Sequence, residues 1–310
     1  MKIPDFAVIV AYQHFGKISL RQRRGWRNRA GLVGYGMKFG HSNRKTTFGI
    51  LLNLAELTYT STVRKVRQAH GNAIMALLMS MLQAVLFIVA FYFMFTVLGT
   101  RSMAIRGSFL IYLLTGIFLY LTHVKALSAV MGAEGPTSAM MLHAPMNTLV
   151  AIASSALASL YIQTLSLAVI LLGIHTIFDA LEIHDWAGLV FMYLIAWASG
   201  CAVGLILLSL KPWVPDLIGI VQTVYTRANM IASGKMFVAN ALPSMMISWF
   251  DWNPLFHLID QARGFAFNNY FPHHTNWQYP IYFTLALVML GLMGDFYTRK
   301  RVSASWIAGR

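Results

Sequence analysis

Apolar positions in this chain gather into six long runs, at 73–99, 107–130, 146–178, 186–210, 213–232 and 279–294. A helix needs about 20 such residues to cross the hydrocarbon of a bilayer, and the runs are of that order. The first is the purest, carrying Gln83 but no formal charge. The pattern predicts an all-α polytopic membrane protein with six transmembrane helices, and an even number of spans puts both termini on one side. Between the fifth and sixth runs, 234–278 is too long for a turn and too apolar for a free loop, and Pro243, Pro254 and Pro272 break it. It predicts a re-entrant path or short outer helices. One should open at Asn253-Pro254, where a capping side chain precedes a residue that needs no N–H, with Leu255, Leu258, Ile259 and Ala262 following at helical spacing.

Ahead of the first run, 50–67 reads as an amphipathic helix lying along the membrane interface. Leu51, Leu54, Leu57 and Val63 can face lipid, and Arg64, Lys65 and Arg67 can face water. Thr58, Thr60, Ser61 and Thr62 dilute its apolar face. The chain therefore divides into a basic cytoplasmic extension (1–49), the interface helix (50–71), a six-span domain (72–298) and a basic tail (299–310). The segment 131–145, interrupted by Gly132, Gly135, Pro136 and Pro145, predicts a short cytoplasmic elbow.

Composition agrees with a chain whose solvent is lipid: 57% hydrophobic residues, 11% charged and a mean hydropathy of +0.60. Charge then sets the orientation. Thirteen Lys and Arg residues precede the first run, and Arg299, Lys300, Arg301 and Arg310 follow the last, which places both termini in the cytoplasm. The net charge of +14 is concentrated beside the membrane, so anionic lipid headgroups are the expected partner and nucleic acid is not. Each Lys or Arg near the negative leaflet gains about 1 kcal/mol. Arg227, far along the fifth run, is either a contact for an acidic cargo or a structural pair for Asp251 or Asp260. Trp249 and Trp252 belong to an aromatic crowd suited to an interfacial belt and equally to stacking on sugar rings.

Reactive constellations are missing. The single cysteine, Cys201, excludes an intramolecular disulfide and a thiolate metal cluster. Ala232-Ser233-Gly234-Lys235 lacks the earlier glycine and the following Ser or Thr of a phosphate-binding loop, so no nucleotide site is read here. Hydrolase and metalloprotease motifs do not occur. His123 and His175 fall at opposite depths, on the order of 20 Å apart, which argues against a shared haem. No metal or cofactor is expected on this chain.

From about Glu56 onward the sequence resembles the permease subunits of ABC-2 type exporters, especially the branch serving capsular polysaccharide and O-antigen. The resemblance rests on VRKVRQAHG before the first span, YLLTGIF at 112–118, ASGKMF at 232–237, ALPS, and WNPLFHLIDQARG at 252–264. It departs from the family in its long basic extension and in having Met81-Leu82-Gln83 where many members place a proline. What the resemblance implies is a homodimer in the bacterial inner membrane, bound to two ATP-binding subunits that hold all the ATP and Mg, with periplasmic export machinery as a further partner. Glu56, Arg64, Lys65 and Arg67 on the interface helix, and Met140, Met141, His143 and Pro145 on the elbow, would contact the ATPase. First and fifth spans would frame a conduit, making Phe87, Phe91, Tyr92, Phe95 and Tyr225, with Arg227, Trp249 and Trp252, candidates for the substrate path. Asn253, Pro254, Leu255, His257 and Arg263 would form the outer-helix motif. The cargo implied is a polysaccharide or lipid-linked glycan. An exporter of drugs, lipids or teichoic acid, or a membrane enzyme or scaffold of polysaccharide synthesis, is the alternative.

Overall fold

A computed structural model of the chain describes residues 47–68, 72–97, 105, 107–134, 148–177 and 182–301. The chain partitions into two units, 1–50 and 51–310, and apart from the first four residues of the first helix the described elements lie in the second. They are helical throughout: α1 Thr47–Gln68, α2 Ala73–Val97, α3 Phe109–Met131, α4 Thr148–Ile177, α5 Trp186–Leu210, α6 Pro215–Ala232, a single 3₁₀ turn at Ala239–Ala241, α7 Ser244–Phe250, α8 Pro254–Ala266 and α9 Gln278–Arg301. Five of them, α2, α3, α4, α5 and α9, are long and apolar enough to cross a membrane. The fifth predicted run forms a helix, α6, but an 18-residue one interrupted by Asp216, Gln222, Arg227 and Asn229, and it is not among those five.

The core is built on α3 and α5, which pack along one another. Around them α9 lies on α5, α4 on α3, and α2 on α3 and α4, while the short α8 sits on both α5 and α3. The close approach of α3 and α5 depends on Gly200 and Gly204, one turn apart. A Cβ on Gly200 would stand 2.2 Å from the His123 carbonyl oxygen, and one on Gly204 would stand 2.6 Å from that of Leu127. Small residues at this spacing are what bring helix backbones together in lipid, where apolar burial gives little drive to association. α3 is consequently buried nearly all round, from Ile111 to His123, whereas α2 keeps Leu78, Leu82, Leu86 and Phe93 exposed.

Local signals fix the ends. Asp185 caps α5 by accepting from the Ala187 and Gly188 amides at 2.9 and 3.2 Å. Asn253 caps α8 with Pro254 at its first position, as the sequence predicts. The segment 234–278 resolves into two short helices and tight turns, with the backbone at Gly234 in the left-handed region at φ 72°.

Candidate functional site

Three of the phrases that carry the family resemblance, at 112–118, 232–237 and 252–264, meet in space. Arg263, 1% exposed on α8, lays its guanidinium 4.1 Å from the ring centre of Tyr112 on α3. Its Nη1 donates to the carbonyls of Gly234 and Phe237 at 2.9 and 2.6 Å, and its Nη2 donates to that of Lys235 at 2.9 Å. One planar cation thus gathers three carbonyls of the turn after α6, a task suited to a rigid fork of donors. Gly116 on α3 allows the approach, because a Cβ there would stand 3.0 Å from the Lys235 backbone. YLLTGIF, ASGKMF and WNPLFHLIDQARG are therefore three sides of one joint.

The rest of the outer motif is equally committed. The Asn253 amide donates to Asn229 Oδ1 and to the Ala232 carbonyl, both at 3.0 Å, while its oxygen accepts from the Leu255 amide at 3.1 Å. It ties the end of α6 to the start of α8. His257 donates from Nε2 to the Asp251 carbonyl at 2.7 Å, with the Asp251 carboxylate at 3.1 Å, and accepts at Nδ1 from the Asn276 amide at 3.0 Å. Asp260, 1% exposed, accepts from Tyr270 at 2.5 Å, Thr275 at 2.8 Å and the Ala239 amide at 3.4 Å. Burial, with the Asp260 carboxylate beside it, pushes the Tyr270 hydroxyl up, so it stays a donor. Leu255 and Pro254 are buried. These polar side chains face one another, leaving exposed Trp249 and Trp252, at 58% and 65%, as the outward aromatic surface of this end.

Lys235 is the cation that the Arg263 joint holds by its backbone alone. Its ammonium lies 3.7 Å from the ring centre of Tyr120, 4.7 Å from Phe87 and 5.2 Å from Phe91, and it has no hydrogen-bond acceptor among the described residues. Two aromatic path candidates therefore cage a lysine within the protomer. Phe95 likewise turns inward onto Phe109 and Tyr112, at 5.6 and 6.4 Å between ring centres. Tyr92 is 42% exposed and leans on Phe109 at 5.8 Å.

Across the bundle, His123 on α3 joins Ser199 on α5 at 2.9 Å through Nδ1 and Tyr225 on α6 at 3.0 Å through Nε2. Ser199 spends its proton on the Ala196 carbonyl at 2.9 Å. A ring protonated at Nδ1 therefore satisfies all three, with Tyr225 donating to Nε2. This makes Tyr225 a strut between helices. Arg227 is exposed, and among the described residues it forms no ion pair with Asp251, which meets His257, or with Asp260, which accepts from Tyr270 and Thr275, so the structural pair offered as one alternative is not made. It shares an open face of α6 with Asp216, Gly219 and Thr223.

At the opposite end, Arg64, Arg67 and Glu56 are exposed on α1. Lys65 departs from the expectation that it faces water: it is half-buried and donates to Ser155 on α4 at 2.5 Å. Burial pulls its ammonium down from the ordinary lysine range, with Glu134 opposing that drop. Met140, Met141, His143 and Pro145, the extension before Thr47 and the tail after Arg301 lie outside the described residues. The sequence reading missed Asp260, Tyr112 and Lys235 as structural centres. The signal for Asp260 was its place one turn before Arg263 on the apolar α8.

No protein-family profile matches the chain. Two forms of the polysialic acid transport protein KpsM of Escherichia coli are similar to it, at 23% and 22% identity over 185 residues, which cover 60% of this chain and 71% of theirs. That similarity agrees with the resemblance to polysaccharide-export permeases that the sequence motifs suggest.

Proposed function

We propose that this chain is the transmembrane permease subunit of an ATP-driven ABC exporter, moving a polysaccharide or lipid-linked glycan from the cytoplasm across the bacterial inner membrane. The observation that carries the reading is the similarity to KpsM over most of that permease's length, joined to five helices able to cross a membrane. In this reading α6 is the sixth crossing. Its exposed polar face needs water or a partner beside it, since an arginine left against hydrocarbon costs at least about 2.5–3.5 kcal/mol. A second copy of the chain would complete that wall, and a homodimer with α2 and α6 from each protomer would enclose the conduit. ATP and Mg would be held by two separate ATP-binding subunits docking near α1 and the 135–147 segment, with both termini in the cytoplasm. Anionic lipids would surround the basic α1 and tail, and periplasmic machinery would receive the polymer from the side of α7 and α8.

Deleting the chain in its host and fractionating polysaccharide, with a complemented strain as control, tests the cargo. Loss of surface polymer with accumulation of lipid-linked polymer inside is expected. Unchanged surface polymer would sink the polysaccharide assignment.

A further inference from the structure

A cavity of about 710 Å³ opens at the end of the bundle where α2 and α4 begin and α3 ends, under the last turn of α1. It is large enough for a ligand of several hundred daltons. Its wall is apolar over most of its area, with polar side chains set into it; the described residues that line it include two lysines, and Glu134 lies near enough to Lys65 to act on its charge. Lys65 enters from α1 and Lys125 from α3, both half-buried. Ser80 on α2, 7% exposed, has a buried hydroxyl with no hydrogen-bond partner among the described residues. Gln163 on α4, 3% exposed, also lines the space. A buried hydroxyl left unpaired costs about 1–3 kcal/mol, and an ammonium held in a largely apolar hollow lacks the solvation that water would give it. A ligand that accepts several hydrogen bonds and carries negative charge removes both costs.

We propose that this cavity binds the phosphate of a membrane lipid. Phosphate offers more acceptor oxygens and more charge than a single carboxylate, to the lining lysines and to the unpaired Ser80 hydroxyl. Its level fits, because Lys65 lies in the last turn of α1, a few residues in sequence before α2 begins at Ala73. A place for the lipid tail adjoins it, where α2 exposes Leu78, Leu82 and Leu86 beside cavity-lining Met79. The inference rests on the chain lying in a membrane, as in the proposed function, but not on the cargo assigned there. Bilayer phospholipid and the lipid anchor of a glycan share this chemistry.

The purified full-length chain, titrated in detergent and followed by native mass spectrometry, provides the test. Dioleoylphosphatidylglycerol should bind about tenfold more tightly than dioleoylphosphatidylcholine. K65M and K125M should each lower phosphatidylglycerol binding by about tenfold, and K125R should restore it. S159W fills the mouth of the cavity while keeping both lysines, and should block binding even where a lysine variant fails to fold. Equal binding of the two lipids, or phosphatidylglycerol binding unchanged in both the K65M/K125M double variant and S159W, would overturn the site. Lipid retained through purification from cells with and without glycan synthesis identifies the source. Phosphorus-bearing lipid present in both is phospholipid, lipid present only with synthesis is the glycan's anchor, and none in either overturns the proposal. Unchanged surface polymer on deletion of the chain would remove the cargo assignment and leave these binding results standing.

Discussion

Arg263 and Lys235 are two cations buried within one joint, and their surroundings make opposite demands. The arginine spends three hydrogen bonds on carbonyls of the turn, of which the Gly234 carbonyl also accepts from the Phe237 amide, and its guanidinium rests on Tyr112. The lysine has only aromatic faces, worth about 0.5–2 kcal/mol, against the cost of burying its charge. Arg263→Met should therefore lower stability by about 3 kcal/mol, while Lys235→Met, which keeps the length of the stem and removes the charge, should change it by less than about 1 kcal/mol or raise it. Unfolding midpoints of the purified variants in a denaturing-detergent titration measure both. A Lys235→Met variant as unstable as Arg263→Met would mean that the ammonium has acceptors beyond its ring cage. Arg263→Lys should sit close to Arg263→Met, because one ammonium cannot span the Gly234, Lys235 and Phe237 carbonyls together.

At the scale of elements, the crossing of α3 and α5 is set by backbone contact at Gly200, so a side chain there cannot be absorbed by rotamer changes. Gly200→Leu should abolish accumulation of folded protein, whereas Gly173→Ala, on α4 with nothing within 4 Å of the added carbon, should be neutral or stabilising by up to about 1 kcal/mol. Size-exclusion profiles of tagged protein extracted from membranes distinguish the two. The same elements show what could be read from the chain alone. Helix bounds at 186–210 coincide with the apolar run, and those of α2, α3 and α4 fall within about two residues of theirs, because the bilayer dictates length and apolarity together. The α8 start was legible for a local reason, Asn253 followed by Pro254. What periodicity does not encode is which side chains meet across helices. Phe87, Phe91 and Phe95 share one face of α2, and that face alone gives no sign that it meets Lys235 and α3 instead of a conduit. Lys65 was placed in water because it sits between Arg64 and Val66 in a basic run, yet Ser155, ninety residues away, draws it inward. Long-range pairings such as Asp260 with Tyr270 and Arg263 with Gly234 follow from the packing of α8, which no window of sequence contains.

At the scale of the whole molecule, the proposed transport needs a place where water can pass, and the exposed polar face of α6 is the candidate for it. At 100° per residue, Asp216, Gly219, Thr223 and Arg227 occupy a sector of about 80°, while Ile218 and Tyr225 point back into the bundle. Val221 lies well outside the polar sector and has the chemistry of a lipid or protein contact. If α6 lines an aqueous path between two protomers, a cysteine at 223 will ionise and react with a water-soluble maleimide, and one at 221 will not. The chain suits the experiment because its single cysteine can be removed by Cys201→Ser. In that background, Thr223→Cys should label at least about tenfold faster than Val221→Cys in membranes containing the assembled exporter, since only thiolate in contact with water attacks the reagent. Slow labelling at both positions would close the face against a partner helix. Faster labelling at 221 would turn α6 around and remove Arg227 from the path. Labelling at 223 that falls when the polymer is being made, and recovers when its synthesis is stopped, would place the cargo against this stripe and not merely near it.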